Sequence, residues 1–130
     1  MSPVYLSRDR QIELADIAQR IAASGKGILA ADEDANIMDS RLLPMNIKNT
    51  EEIRRSYRQL IFRTQECTQY ISAIILCHET FFHKTDDDDT SFPRLLTQAG
   101  ILPGITVDRG LISLTGTDDE LVTQGLYLHR

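Results

Sequence analysis

The chain has 130 residues, the size of one ordinary domain, and its 42% hydrophobic and 25% charged composition is that of a globular protein and not a disordered one. Its formal charge is −5 and its 14 basic residues are scattered, which argues against a nucleic-acid face or an anionic membrane as partner. No apolar run approaches the ~18 residues of a membrane span, and Met1–Gln11 lacks the apolar core of a secretion signal.

Residues 8–23 predict an amphipathic helix, because Leu14, Ile17, Ala18 and Ile21 form one stripe at i, i+3, i+4 and i+7. Ser7 is its N-cap candidate, and Gly25 follows where a left-handed residue is wanted. Ile28–Ala31 is a short apolar run bounded by Gly27 and ended by Asp32-Glu33-Asp34, which predicts a buried strand with acids at its carboxyl end. Residues 35–49 lack a period and contain Pro44, so they are expected to be irregular apart from a short helix near Met38–Leu42. Thr50-Glu51-Glu52 opens a second helix with a cap and acids in its first turn. Ile53, Tyr57, Leu60 and Ile61 make its buried stripe, and Arg54, Arg55, Arg58 and Arg63 its solvated face.

A second apolar run, Tyr70–Cys77, is rich in β-branched residues and ends in His78-Glu79-Thr80, which predicts another strand. Asp86–Asp89 read as a solvated acidic loop. Pro93–Ala99 suit a short helix closed by Gly100, and Gly104–Val107 a third strand ended by Asp108-Arg109-Gly110. The tail from Gly116 is rich in turn residues, with a further helix expected over Leu121–Leu128. Helices that alternate with buried strands imply an α/β fold with a parallel sheet. In such folds ligands bind at the carboxyl edge, where this chain places Asp32, His78-Glu79 and Asp108.

Clustered carboxylates repel one another, so burial of Asp32-Glu33-Asp34 would tune one of them for acid/base work; the bland alternative is a solvated strand end. A calcium loop fails, because Ile37 stands where the motif needs glycine and Leu43 where it needs glutamate. Asp32-x-Asp34 after a strand also resembles the nucleophile loop of haloacid-dehalogenase-type phosphatases, which is kept as the alternative. His78 and His83 lack convergent metal ligands, with Cys77 expected on the opposite face from His78, and are assigned structural or exposed roles. Cys67 and Cys77 fit neither a disulfide framework nor a metal motif and read as reduced thiols of a cytoplasmic protein. None of the three lysines, Lys26, Lys48 and Lys84, lies inside an apolar strand, where desolvation could make a nucleophilic amine.

Five segments carry a closer resemblance. LADIAQRIAASGKGILAADE (Leu14–Glu33), NTEEIRRSYRQLIF (Asn49–Phe62), ISAIILCHETFFHK (Ile71–Lys84), GITVDRG (Gly104–Gly110) and TGT followed by TQGL (Thr115–Leu126) resemble class I fructose-bisphosphate aldolase of the animal type, in order and spacing. The resemblance implies an incomplete (β/α)8 TIM barrel, with residues 1–130 forming a single partial domain of an N-terminal helix and about three parallel βα units. A whole barrel of this kind takes about 250 residues or more. It implies a glycolytic lyase that splits fructose 1,6-bisphosphate through a lysine Schiff base, with no metal or other cofactor, assembled from aldolase subunits. The Schiff-base lysine and acid/base glutamate of the family lie on later strands, so this chain is expected to be inactive by itself.

By the same resemblance Asp32 matches a catalytic aspartate and Arg41 a basic residue near the distal phosphate of the substrate. Asp34 and Ile37 stand where the family carries serines, Asn36 replaces a glycine, and Ser40 and Thr106 replace lysines. These exchanges remove cations and donors and add a negative charge where a phosphate would sit, so weak or absent sugar bisphosphate binding is expected.

Overall fold

The computed structural model describes residues 6–125. Its elements are α1 (Arg8–Ile21), β1 (Gly27–Ala31), α2 (Ala35–Leu42), α3 (Glu51–Phe62), α4 (Cys67–Tyr70), β2 (Ile71–Leu76), α5 (His78–Phe82), α6 (Phe92–Gln98), β3 (Leu102–Ile105), β4 (Asp108–Ser113) and β5 (Leu121–Gly125). Strands β1, β2 and β3 form one parallel sheet in that order, while β4 and β5 pair as a separate antiparallel hairpin. The alternation of short apolar runs with helices thus produces the expected α/β arrangement, with the third strand placed two residues earlier than Gly104–Val107.

Side-chain caps start the longer helices where the sequence offers them. The Ser7 hydroxyl accepts from Arg10 N, and Thr50 Oγ1 accepts from Ile53 N, with Glu51 and Glu52 favouring the positive end of α3. Gly25 and Gly100 adopt φ of +76° and +77°, a conformation that lets the chain turn from helix to strand without a Cβ clash. Residues 35–42 are more ordered than their lack of period predicts. The Asp34 side chain caps α2, which buries Met38 and Leu42 one turn apart.

One face of the sheet is well packed. Ala31, Ile74 and Leu76 meet Phe62 of α3 and Phe92 and Leu96 of α6, with Ile101 closing the cluster. Phe62 and Phe92 meet edge to face, their centroids 5.2 Å apart. Each such fully buried side chain contributes roughly 1.5–3 kcal/mol. The other face is open at β1, where Ile28 is 53% exposed, although its neighbour Ala73 in β2 is buried. Parallel strands are ordinarily covered on both faces. The chain exposes 9839 Å², against roughly 7,000 Å² for a compact monomer of its mass.

Four expectations are corrected. The apolar stripe of α1 is only half covered: Ile17 and Ile21 are half-buried at the end that meets β2, where Ser72 Oγ donates to Ile21 O, while Leu14 is 52% exposed. Most of the arginine face of α3 is not solvated: Arg58 is 2% exposed, and Arg54 and Arg55 are mostly covered, because each finds a carboxylate on another segment or turn, while Arg63 is exposed as expected. Leu60, counted in the buried stripe, is 71% exposed. Finally, Leu121–Gly125 form a strand and not a helix; Leu126 to Leu128, like Met1 to Tyr5, lie outside the described residues. The alternating branched residues of Leu121-Val122-Thr123 suit a hairpin partner for Leu111-Ile112-Ser113.

An open sheet face and two unpaired edges leave little cooperative packing. The purified 130-residue chain is expected to melt over a broad range with small heat absorption. Calorimetry showing one sharp transition would contradict this.

Candidate functional site

The register of the sheet assembles the site. Ala31, Leu76 and Ile105 lie in one row at the carboxyl edge, so the residues that follow them, Asp32, Cys77 and Thr106, are brought side by side. Thr106 N donates to Leu76 O at 3.0 Å, which holds the chain beyond β3 against the neighbouring strand. Thr106 Oγ1 then donates to Asp32 Oδ2 at 2.5 Å across the top of the sheet. Residues 74 apart in sequence therefore share one hydrogen bond, and it is the parallel pairing that makes them neighbours.

An open cleft of about 450 Å³ lies above this row. Asp32, Asp34, His78, Thr106, Asp108 and Arg109 supply its polar lining, and Ile37 and Cys77 its apolar part. Three carboxylates face one guanidinium, so the cleft is acidic. A smaller cavity of about 220 Å³ beside it is lined by Glu33, Asp34, Cys77, His78 and Glu79 among others. Cys77 and His78 thus face the same space, contrary to the expectation of opposite faces. Strand alternation ends at Leu76, and Cys77 begins the helical turn of α5, so the period of two no longer applies.

Arg41 does not line the cleft. Its Nη1 lies 2.5 Å from Glu33 Oε1 and 3.4 Å from the Tyr57 hydroxyl. The Tyr57 hydroxyl first, and the Glu33 carboxylate next, hold the Arg41 pKa above its ordinary value. Glu33 is shared: its other oxygen, Oε2, is 2.8 Å from Arg58 Nη1, and Arg58 Nη2 donates to the Glu33 carbonyl at 3.1 Å. The 2.8 Å contact is an ion pair whose angle is not that of a hydrogen bond, since neither Oε2 nor Arg58 Nε has a hydrogen-bond partner. The pair still counters two charges that burial would otherwise leave bare.

Glu79, one of the acids at the edge of β2, serves as an anchor. Arg54 Nε and Nη2 donate to its two oxygens at 2.7 and 2.6 Å, while Arg54 Nη1 donates to Asn49 Oδ1. Asn49 in turn donates to Asp39 Oδ1 and Ala35 O, so one arginine links α2, α3 and α5. The fork of hydrogen bonds from Arg54 holds the Glu79 carboxyl below the usual glutamate range. His83 is buried, with Nε2 3.2 Å from Glu51 Oε1, and His78 stacks at a tilt on Phe82. The acidic loop is bound back to the molecule: Gln59, Arg63, Thr85 and Lys84 contact Asp86, Asp87, Asp88 and Asp89 in turn.

Lys26 donates to Thr68 O below the amino ends of the strands, and Lys84 pairs with Asp89; no lysine lines the strand-end cleft. Among the described residues no group of three or more His, Cys, Asp or Glu is placed to hold a metal ion. No described helix is long and apolar enough to cross a membrane.

Parallel strands backed by helices, with polar side chains gathered at the carboxyl ends, define the wall of a (β/α) barrel. Known proteins place it more closely. The model of the family "Fructose-bisphosphate aldolase class-I" matches residues 13–128, and the chain belongs to that family. A fructose-bisphosphate aldolase of Drosophila melanogaster is 50% identical over 123 residues, covering 94% of this chain and 34% of the relative. The muscle-type aldolase of Lethenteron camtschaticum is 51% identical over 129 residues, covering 97% and 35%. A Plasmodium falciparum aldolase, crystallised with TRAP and a small-molecule inhibitor, superposes with a TM-score of 0.85 at 42% identity, over 95% of this chain and 35% of that one. The chain spans about a third of the length of the relatives it matches. Membership of this family does not favour the phosphatase alternative for Asp32 and Asp34.

Glu79 titration reads the Arg54 anchor directly. A folded midpoint below the ordinary value means that the stabilisation is fully present above about pH 4.3. It is lost as pH falls through that lower midpoint. Carboxyl-carbon NMR is expected to show Glu79 titrating below the ordinary glutamate range, and Arg54→Ala to move it back up.

Proposed function

We propose that this chain supplies the β1–β3 wall of a class I aldolase barrel, acting on a phosphorylated sugar of the fructose bisphosphate type, and that it does not cleave substrate unaided. The observation that carries this reading is the composition of the strand-end row. It contains a carboxylate, Asp32, that accepts from the Thr106 hydroxyl, and it contains no amine. In this reading Asp32 holds substrate hydroxyls and relays a proton when the carbon–carbon bond breaks. The amine that forms the imine with the ketone comes from beyond these three strands. Arg41 is assigned to the phosphate end, reaching it only by leaving Glu33 and Tyr57.

The setting follows from the family reading: a cytoplasmic, glycolytic lyase whose partners are aldolase subunits. The free thiols of Cys67 and Cys77 support a reducing compartment. The unpaired edges of β1 and β3 and the open sheet face support a partner of the same barrel type.

Borohydride trapping with dihydroxyacetone phosphate tests the division of labour. Mass spectrometry of the 130-residue chain is expected to find no reduced adduct on Lys26, Lys48 or Lys84. A stoichiometric adduct on any of them overturns the reading.

A further inference from the structure

The opposite end of the sheet carries a cavity of the opposite charge. It measures about 170 Å³ and is walled by Arg20, Ala23, Lys26, Ser72 and Gly100. Lys26, Ser72 and Gly100 stand at or just before the starts of β1, β2 and β3. Ser72 and Cys77, one in each site, are separated by five residues of extended chain, or about 16 Å. The lining holds two cations and no acid, whereas the strand-end cleft is acidic. We infer that this cavity binds a small dianionic oxyanion of the phosphate type, held between the Arg20 guanidinium and the Lys26 ammonium.

Cations in the last turn of a helix ordinarily answer its bare carbonyls, and Arg20 lies in the last turn of α1. That role accounts for the sign of the charge but leaves donors over. Ala22 N, Ala23 N and Ser72 Oγ already donate to Ala18 O, Arg20 O and Ile21 O. At the end of α6, Ala99 N, Ile101 N and Gly100 N donate to Leu95 O, Leu96 O and Thr97 O. Lys26 Nζ donates to Thr68 O at 2.7 Å, which uses one of the three N–H groups of an ammonium. Arg20 Nη1 comes no closer to Asp16 Oδ2 than 3.7 Å, beyond hydrogen-bond reach. Both side chains of that pair are at least half exposed, at 50% and 63%, so water screens it and it contributes little.

The rest of the wall is fixed in place. Ser72 is 4% exposed, and its hydroxyl donates to Ile21 O at 2.7 Å, which ties the end of α1 to the start of β2. Gly100, at φ +77°, presents no side chain, and nothing stands within 4 Å of where one would begin. The bond to Thr68 O holds Lys26 at the wall before any ligand arrives. A planar guanidinium offers a fork for two oxygens and an ammonium a point charge for a third. A tetrahedral dianion meets both cations at once. A monocarboxylate balances only one of them and ranks below it.

The test titrates inorganic phosphate into the 15N-labelled 130-residue chain at constant ionic strength, with acetate and chloride as comparison anions. The amides of Lys26, Ser72 and Gly100 are read. Phosphate is expected to give saturable shifts there, acetate weaker ones and chloride none. Arg20→Met and Lys26→Met keep an apolar stem and remove the charge, and each is expected to weaken phosphate binding about fivefold or more. Absence of saturation, equal effects of the three anions, or variants that respond like the unaltered chain overturn the proposal.

A chemical readout on the unaltered chain needs neither variant nor spectrum. Brief treatment with acetic anhydride acetylates lysine amines, and Lys48 and Lys84 serve as internal references for Lys26. Phosphate above its Kd is expected to slow acetylation of Lys26 at least about twofold relative to the other two. Equal slowing at all three lysines, or none, overturns the proposal. Neither readout reduces an imine, so its outcome is separate from that of the trapping experiment.

Discussion

Two arginines from different helices converge on one carboxylate: Arg41 of α2 and Arg58 of α3 both reach Glu33, the second residue past the end of β1. Arg58 is almost wholly buried and also donates to the Glu33 carbonyl, a backbone group that β1 no longer pairs. Removing water from such a pair is costly, and the attraction repays the cost only while both partners stay in place. The consequence is geometric. With Glu33 pinned, the chain on either side has little freedom, so Asp32 must stand over the sheet and Asp34 must begin α2. The sheet register sets the strand-end row, and this one side chain holds the loop between that row and α2.

The same logic explains which parts of the fold were legible in the sequence. β1 and β2 announce themselves because a parallel strand is written as a short apolar run whose length glycine or charge limits on either side, although β1, expected to be buried, buries only Ala31. α3 announces its start through Thr50 and the acids after it. Its orientation was not legible. Counting apolar residues marks Leu60 as buried and Arg58 as exposed, and the reverse is true. A period of 3.6 identifies a face, but the partner of a buried arginine lies on a distant loop that no local pattern reveals. Glu33, Glu79 and Asp86 are 25 to 31 residues away from the α3 arginines they meet.

The site divides in the same way. Asp32 and Asp108 are legible from the rule that parallel folds bind at carboxyl edges, and both line the cleft. Thr106 stands out in the sequence only as an exchanged residue, and its bond to Asp32 needs the register of three strands. Cys77 joins the cleft because the strand ends one residue earlier than its apolar run does. Arg41 is the converse: a cation at a suggestive spacing whose charge is already spoken for by Glu33 and Tyr57.

Charge placement then separates scaffold from selectivity. The net −5 of the chain is modest, yet its carboxylates sit where they matter most. Glu33 engages the arginine at the far end of α2, and Asp34 engages the N–H groups at the near end. Two acids next to Asp32 thereby engage α2, Glu33 through the Arg41 side chain and Asp34 through the Ile37 N–H. The strands, their register and the helix all survive such a change, because capping by aspartate stabilises α2 as well as serine would. A barrel wall can therefore keep its architecture while the charges gathered at its strand ends change.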